Sequence, residues 1–200
     1  LIISDEIYEK IVYDGFKAIS VASLSDEVRK NTVVLNGVSK AYSMTGWRIG
    51  YAAGPKEIIQ AMTNIQSQST SNPASISQWA AVEALNGPQG FIGEMVKEFE
   101  TRRNAMVGGL NAIAGVKCMR PSGAFYVFAN VAGLYGKEFE GKIIKGSVDL
   151  TNYLLDSVGV AVVPGEPFGD DNYIRLSYAT SMENVVEGVK RLRDAAERLV

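Results

Sequence analysis

The sequence contains no histidine. That excludes a Ser-His-Asp triad, a Cys-His dyad and any His-ligated metal site within this chain. Its one cysteine, Cys118, allows neither an internal disulfide nor a cysteine-cluster zinc site. Cys118 has no cationic or helix-start context and reads as a buried small hydrophobe. Charge of neither sign dominates: 20 Lys+Arg against 22 Asp+Glu leave a net charge of −2. No basic stripe points to nucleic acid, and no cationic segment points to a membrane surface. No apolar run approaches the length that spans a bilayer. The chain is therefore expected to have no nucleic-acid, membrane or metal partner and to work in the cytoplasm. An enzyme made from it must use Lys, Tyr, Asp or Glu as its proton shuttle, or let a cofactor carry the chemistry.

What is present suits a folded globular chain, with 46% hydrophobic and 21% charged residues. Leu1-Ile2-Ile3-Ser4-Asp5 reads as a buried strand ending in a carboxylate. Thr32 to Asn36 is a second such strand, and the intervening crossover argues that the two are parallel neighbours. Arg48 to Ala53 is a third candidate, stopped by Gly54-Pro55 with Pro55 opening a helix. Two helices are predicted between Pro55 and Asn86, the second capped by Asn72 and opened by Pro73. Phe91 to Ala114 is predicted as one long amphipathic helix.

Beyond residue 115 the texture becomes α+β. Val116–Met119, Ala124–Val131, Val160–Val163 and Tyr173–Tyr178 read as strands, with Tyr126 and Phe128 on the face opposite Phe125, Val127 and Ala129. Val148 to Ser157 reads as a helix stopped by Gly159. Thr180-x-x-Glu183 reads as a capping box for a last helix carrying Val185, Val189, Leu192, Ala196 and Leu199.

In open parallel sheets, ligands sit beyond the carboxyl ends of strands. Asp5 ends the first strand, and Ser39-Lys40 lies just past the second. A carboxylate and an ammonium thus face one crevice, which by itself is more often an ordinary Asp–Lys ion pair at a sheet edge. The residues around Lys40 add more. Gly37-Val38-Ser39-Lys40-Ala41-Tyr42-Ser43-Met44-Thr45-Gly46-Trp47-Arg48-Ile49-Gly50 is dense in glycine and hydroxyl groups and sets Lys40 and Arg48 eight residues apart.

This stretch resembles the pyridoxal-phosphate lysine signature of the class I/II, aspartate-type aminotransferases. Asp5-Glu6-Ile7-Tyr8 is similar to the Asp-x-x-Tyr that precedes it in that family. Gly123-Ala124-Phe125-Tyr126-Val127-Phe128 and Ile174-Arg175-Leu176-Ser177-Tyr178-Ala179 resemble two later landmarks. The four occur in family order across essentially the whole chain. The resemblance implies an α/β chain: the C-terminal part of a fold type I large domain, with a mostly parallel sheet, plus a small α+β domain. Residues 1–90 would then be a remnant of the cofactor-binding domain, 91–114 a linking helix and 115–200 the small domain. It also implies a longer whole protein, about twice this length. The absent half would carry more of the sheet, most phosphate contacts and the residues that choose the substrate side chain. Without it, strand edges and apolar faces stay uncovered.

The resemblance assigns roles. Lys40 would hold the cofactor as a Schiff base and move the proton at the substrate Cα. Asp5 would pair with the pyridine nitrogen and keep it protonated. Tyr8 would hydrogen-bond the ring oxygen, and a packed aromatic is the plainer alternative. Arg48 would grip the phosphate. Gly37 stands where the family often has a phosphate-binding serine, and Ser39 takes no role. Arg175 would bind the substrate α-carboxylate, and Phe125 would pack near the substrate or simply in the core. Ser71-Asn72-Pro73 resembles a stretch that approaches the neighbouring subunit's site in family dimers.

The expected reaction is amino-group transfer between an amino acid, aspartate or glutamate, and a 2-oxo acid, by a homodimer. Two segments, 141–145 and 162–171, resemble aminotransferases that also accept prephenate. A related pyridoxal-phosphate lyase and a non-catalytic module that keeps the fold stay open as alternatives.

Overall fold

In the computed structural model, which describes residues 1–200, the chain divides into two compact units, Leu1–Val96 and Lys97–Val200. In the first unit, β1 (Ile2–Asp5) and β2 (Thr32–Gly37) are parallel, with Asp5 opposite Leu35. Both strands therefore end at the same edge. The connection between them is mostly irregular, with one 3₁₀ turn (Val21–Ser23) and a short α1 (Asp26–Lys30) capped by Ser25, whose hydroxyl accepts from Val28 N–H at 3.1 Å.

The third strand, β3 (Gly50–Ala53), lies on the other side of β2 and runs antiparallel to it, with Gly50 opposite Gly37. It starts two residues later than predicted, because Arg48 takes the left-handed conformation (φ 56°) at the end of the 3₁₀ turn Thr45–Trp47. Apolar periodicity cannot reveal such a reversal.

Helix α2 (Lys56–Ser69) follows, with Pro55 at the N-cap rather than inside the first turn. Helix α3 (Ser75–Asn86) is not capped by Asn72. Ser71 is left-handed (φ 63°) and Ala74 is still in a polyproline-like conformation (φ −55°, ψ 136°), so the helix cannot begin until Ser75. The core of this unit gathers Val38, Ala41, Tyr42 and Ile49 against Ala81 of α3 and Ile92 of α4 (Gly90–Asn111).

The second unit holds β4 (Lys117–Cys118), β5 (Tyr126–Asn130), the hairpin β6 (Glu138–Phe139) and β7 (Lys142–Ile143), α5 (Ser147–Val158), β8 (Val163–Pro164), β9 (Tyr173–Ser177) and α6 (Met182–Glu197). Its main sheet has the order β4-β5-β9-β8, antiparallel throughout. Two predicted strands shrink to two-residue pairings, and Pro164 sits at the sheet edge, where a missing N–H costs little.

Strand alternation buries Val127, Ala129, Ile174 and Leu176, and Leu150, Leu154 and Leu192 of the helices are buried as well. The register sets Phe128 opposite Arg175 on the other face. Gly159 stops α5 in the left-handed conformation (φ 65°), as predicted. The cap of α6 is Ser181, not Thr180: the Ser181 hydroxyl accepts from Asn184 N–H at 3.3 Å, while Thr180 accepts from the Asn184 side chain at 2.9 Å. No helix is long and apolar enough to cross a membrane.

Candidate active site

The segment after β2 is pinned from inside. Val38 is fully buried, and Ala41 and Tyr42 follow it into the core. The Tyr42 hydroxyl accepts from Lys10 Nζ at 2.7 Å and donates to Gln89 Oε1 at 2.9 Å. With residues 38, 41 and 42 anchored, Ser39 and half-buried Lys40 are left to line a cavity. That cavity measures about 430 Å³ and is lined also by Asp5, Ile7, Asn36, Thr45 and Arg48.

Asp5 reaches it because parallel pairing brings the ends of β1 and β2 to one edge. Its carboxylate accepts from Ile7 N–H at 3.2 Å, which turns the chain just past the strand. The turn carries Tyr8 beside Lys40, whose Nζ lies 5.7 Å from the ring centroid. Next to it, Glu6 accepts from Ser4 and Ser20 hydroxyls at 3.0 and 2.9 Å and from Val21 N–H at 3.1 Å, so the returning loop is tied to the same strand end.

Arg48 enters from the opposite wall. One guanidinium N–H donates to the Thr45 carbonyl at 2.9 Å, and the rest of the side chain is exposed. A left-handed non-glycine residue is uncommon and often marks a functional turn. The cavity thus gathers one carboxylate, one amine, one guanidinium and hydroxyl groups. This donor set fits an anionic aldehyde cofactor with a basic ring nitrogen: the carboxylate suits the ring nitrogen, the guanidinium a phosphate and the amine the aldehyde. The volume is within the range of small-ligand pockets.

In the second unit, Arg175 is half-buried on β9. Its guanidinium carbon lies 4.7 Å from the Tyr126 ring centroid and 4.6 Å from that of Phe168. No hydrogen bond or salt bridge within the chain takes up its donors. Phe125 is half-buried and packs on Phe99 at 5.5 Å and on Tyr126 at 4.8 Å.

The structure therefore brings Asp5, Lys40 and Arg48 to one cavity, sets Tyr8 against Lys40, and puts Phe125 and Arg175 in one unit with Tyr126 between their contacts. Ser39, Asn36 and Thr45 join the cavity wall without having been assigned roles. Tyr126 and Phe168 were also missed. The alternation along β5 already set Tyr126 on the outer face, but Phe168 arrives from a 3₁₀ turn (Glu166–Phe168) that gives no periodic signal. Residues Ser71–Pro73 line neither site.

Comparison with known proteins is consistent with this geometry. The sequence profile of the family "Aminotransferase class I and II" matches residues 1–192. An aspartate aminotransferase of Rhizobium meliloti (strain 1021) is 52% identical over 196 residues, covering 98% of this chain and 48% of that protein. A probable aspartate/prephenate aminotransferase of Rickettsia bellii is 50% identical over 199 residues, 99% of this chain and 50% of that protein. The crystal structure of the Rhizobium meliloti aspartate aminotransferase superposes with a TM-score of 0.95 at 51% identity, over 99% of this chain and 50% of that one. The aromatic aminotransferase of Pyrococcus horikoshii gives 0.88 at 36% identity, over 98% and 51%.

The α/β chain shares the fold of the aspartate aminotransferases on which it superposes, the fold type I class. The chain belongs to the class I and II aminotransferase family, whose members generally use pyridoxal phosphate. It spans about half the length of the relatives it matches.

Proposed function

We propose that the protein to which this chain belongs moves an amino group between an amino acid and a 2-oxo acid, with pyridoxal phosphate held in the cavity of Asp5, Lys40 and Arg48. The observation that carries the reading is the meeting of these three side chains in one cavity of about 430 Å³. When bound, the cofactor supplies an electron sink beside the substrate Cα. Lys40 would hold the cofactor through its amine and, once displaced by the substrate amine, would be the base that moves the proton away from Cα. Asp5, whose carboxylate accepts from the Ile7 N–H, would pair with the ring nitrogen. Arg48, oriented by the Thr45 carbonyl, would hold the phosphate with its planar fork of donors. Tyr8 would donate its hydroxyl to the ring oxygen, and Arg175 would take up a substrate carboxylate with its unused N–H donors.

Aspartate or glutamate is the proposed donor, supported by the names of the relatives. The aspartate/prephenate names support prephenate as an acceptor to be tried beside 2-oxoglutarate. A homodimer is the proposed working form. The test is spectroscopic. The full-length protein mixed with pyridoxal phosphate is expected to gain a near-visible imine band that aspartate bleaches and a 2-oxo acid restores. Lys40→Ala is expected to show no such band. A band that survives in Lys40→Ala overturns the proposal, and so does a band that aspartate leaves unchanged.

A further inference from the structure

Arg175 poses a physical question. A half-buried guanidinium ordinarily finds carboxylates or carbonyls, because an unpaired charge away from water is costly. This one finds two aromatic rings instead, at 4.7 and 4.6 Å. A ring face attracts a guanidinium through its quadrupole and leaves the in-plane N–H donors unused. Such contacts hold the group in place without competing for the bonds that a bidentate carboxylate needs.

Both rings are fixed from the core. Tyr126 begins β5, after a turn in which Ala124 is left-handed (φ 60°). That turn has two anchors. The fully buried Arg103 donates to the Pro121 carbonyl at 2.9 Å, and the fully buried Tyr178 donates its hydroxyl to the Ala124 carbonyl at 3.1 Å. Phe168 sits on a separate support. Buried Ser147 accepts from the N–H groups of Gly165 and Glu166, both at 3.2 Å, and Phe168 N–H closes the turn onto the Gly165 carbonyl at 2.8 Å. Phe128 then meets the Phe168 ring edge-on at 6.2 Å. Phe168 nevertheless stays 52% exposed, so core burial does not explain its place.

We infer that Tyr126 and Phe168 are positioning residues for substrate binding: together they orient the Arg175 guanidinium so that its N–H edge meets a substrate carboxylate. The inference rests on the reading of Arg175 as the carboxylate grip and adds how that grip is preorganised. Preorganisation spares the ordering cost of a long side chain at the moment of binding. Tyr126 acts through its ring and not its hydroxyl.

The test uses the full-length protein carrying its cofactor, with maleate, an unreactive dicarboxylate, as the binding probe and aspartate as the substrate. Tyr126→Leu and Phe168→Leu are each expected to weaken maleate binding and raise KM about two- to fivefold, the size of one cation–π contact at a partly exposed site. kcat at saturation is expected to fall much less. Tyr126→Phe restores both constants. In the cofactor-free protein, the ring-current shift of the Arg175 Nε–Hε resonance is expected to shrink in each Leu variant.

Arg175→Lys separates the two layers. If it leaves maleate affinity unchanged, the carboxylate reading of Arg175 fails and this inference falls with it. If it weakens maleate binding while both Leu variants bind normally, the positioning inference alone is overturned. A Tyr126→Phe variant as weak as Tyr126→Leu also overturns it, because the ring would then not be the acting part.

Discussion

The carbonyl oxygen of Ile49 stands 2.8 Å from where a Cβ on Gly37 would lie, and Gly50 Cα stands 3.1 Å from the same point. Gly37 is the last residue of β2 and pairs with Gly50. Both strands therefore approach backbone to backbone at the mouth of the Lys40 cavity. Gly37→Ala is expected to destabilise the protein by about 1–3 kcal/mol, the usual cost of overpacking. Gly37→Ser should do the same, because its Cβ would meet the same backbone atoms. Denaturant unfolding checks both variants, and unchanged midpoints would contradict the close approach.

Asp5→Asn separates charge from shape. The asparagine amide oxygen can still accept from Ile7 N–H, so the turn toward Tyr8 should persist. The negative charge facing the ring nitrogen is lost. We expect kcat of the full-length enzyme to fall roughly 10²–10³-fold, the range for losing one preorganised electrostatic group. Circular dichroism should not change. Activity close to wild type would remove Asp5 from the chemistry.

Cys118 is buried on β4, and burial pushes its thiol up to about 11. The thiolate is the reactive form, so almost none is present near neutral pH. The folded protein should react with a thiol reagent at pH 8 far more slowly than the denatured chain. Fast labelling of the native protein would show that the β4 edge opens.

Asp171 accepts from the Ser147 hydroxyl at 2.6 Å and from its N–H at 2.9 Å, and these bonds hold its carboxyl below the ordinary value of 3.8. The folded state therefore favours the ionised form. The resulting stability is present above the ordinary value and is lost as pH falls through the lowered one. Asp171→Asn should be less stable than wild type at neutral pH, with the two stabilities converging as the solution is acidified. A difference that does not depend on pH would mean that the bonds to Ser147 do not favour the charged form. Because Ser147 also supports the turn before Phe168, Ser147→Ala should loosen residues 165–168 and raise their amide exchange.

Much of this was legible in the residues. Apolar runs ending in Asp5 and Asn36 marked two parallel strands, and their shared edge predicted that Asp5 and Lys40 would meet, but β1 is exposed and not the buried strand its apolar run suggested. The signature around Lys40 supplied Arg48. What could not be read has physical causes. The connection that turns the chain back into the antiparallel β3 holds two left-handed residues, Ser43 and Arg48, whose side-chain types do not announce them. The cap of α3 failed because Ser71 and Ala74 adopt non-helical backbone angles that local composition does not specify. Ser181 displaced Thr180 as a cap by a single-residue shift that propensity cannot resolve, since both are good N-cap residues. The rings on Arg175 come from two segments far apart in sequence, and only the folded register brings them together.

The central claim is that Lys40 is the amine that carries the cofactor. Borohydride reduction of the full-length protein with pyridoxal phosphate, followed by peptide mapping, tests it most directly. A stable pyridoxyl adduct is expected on the peptide containing Ser39-Lys40-Ala41 and none on Lys10. An adduct confined to another lysine, or no adduct at all, would contradict it.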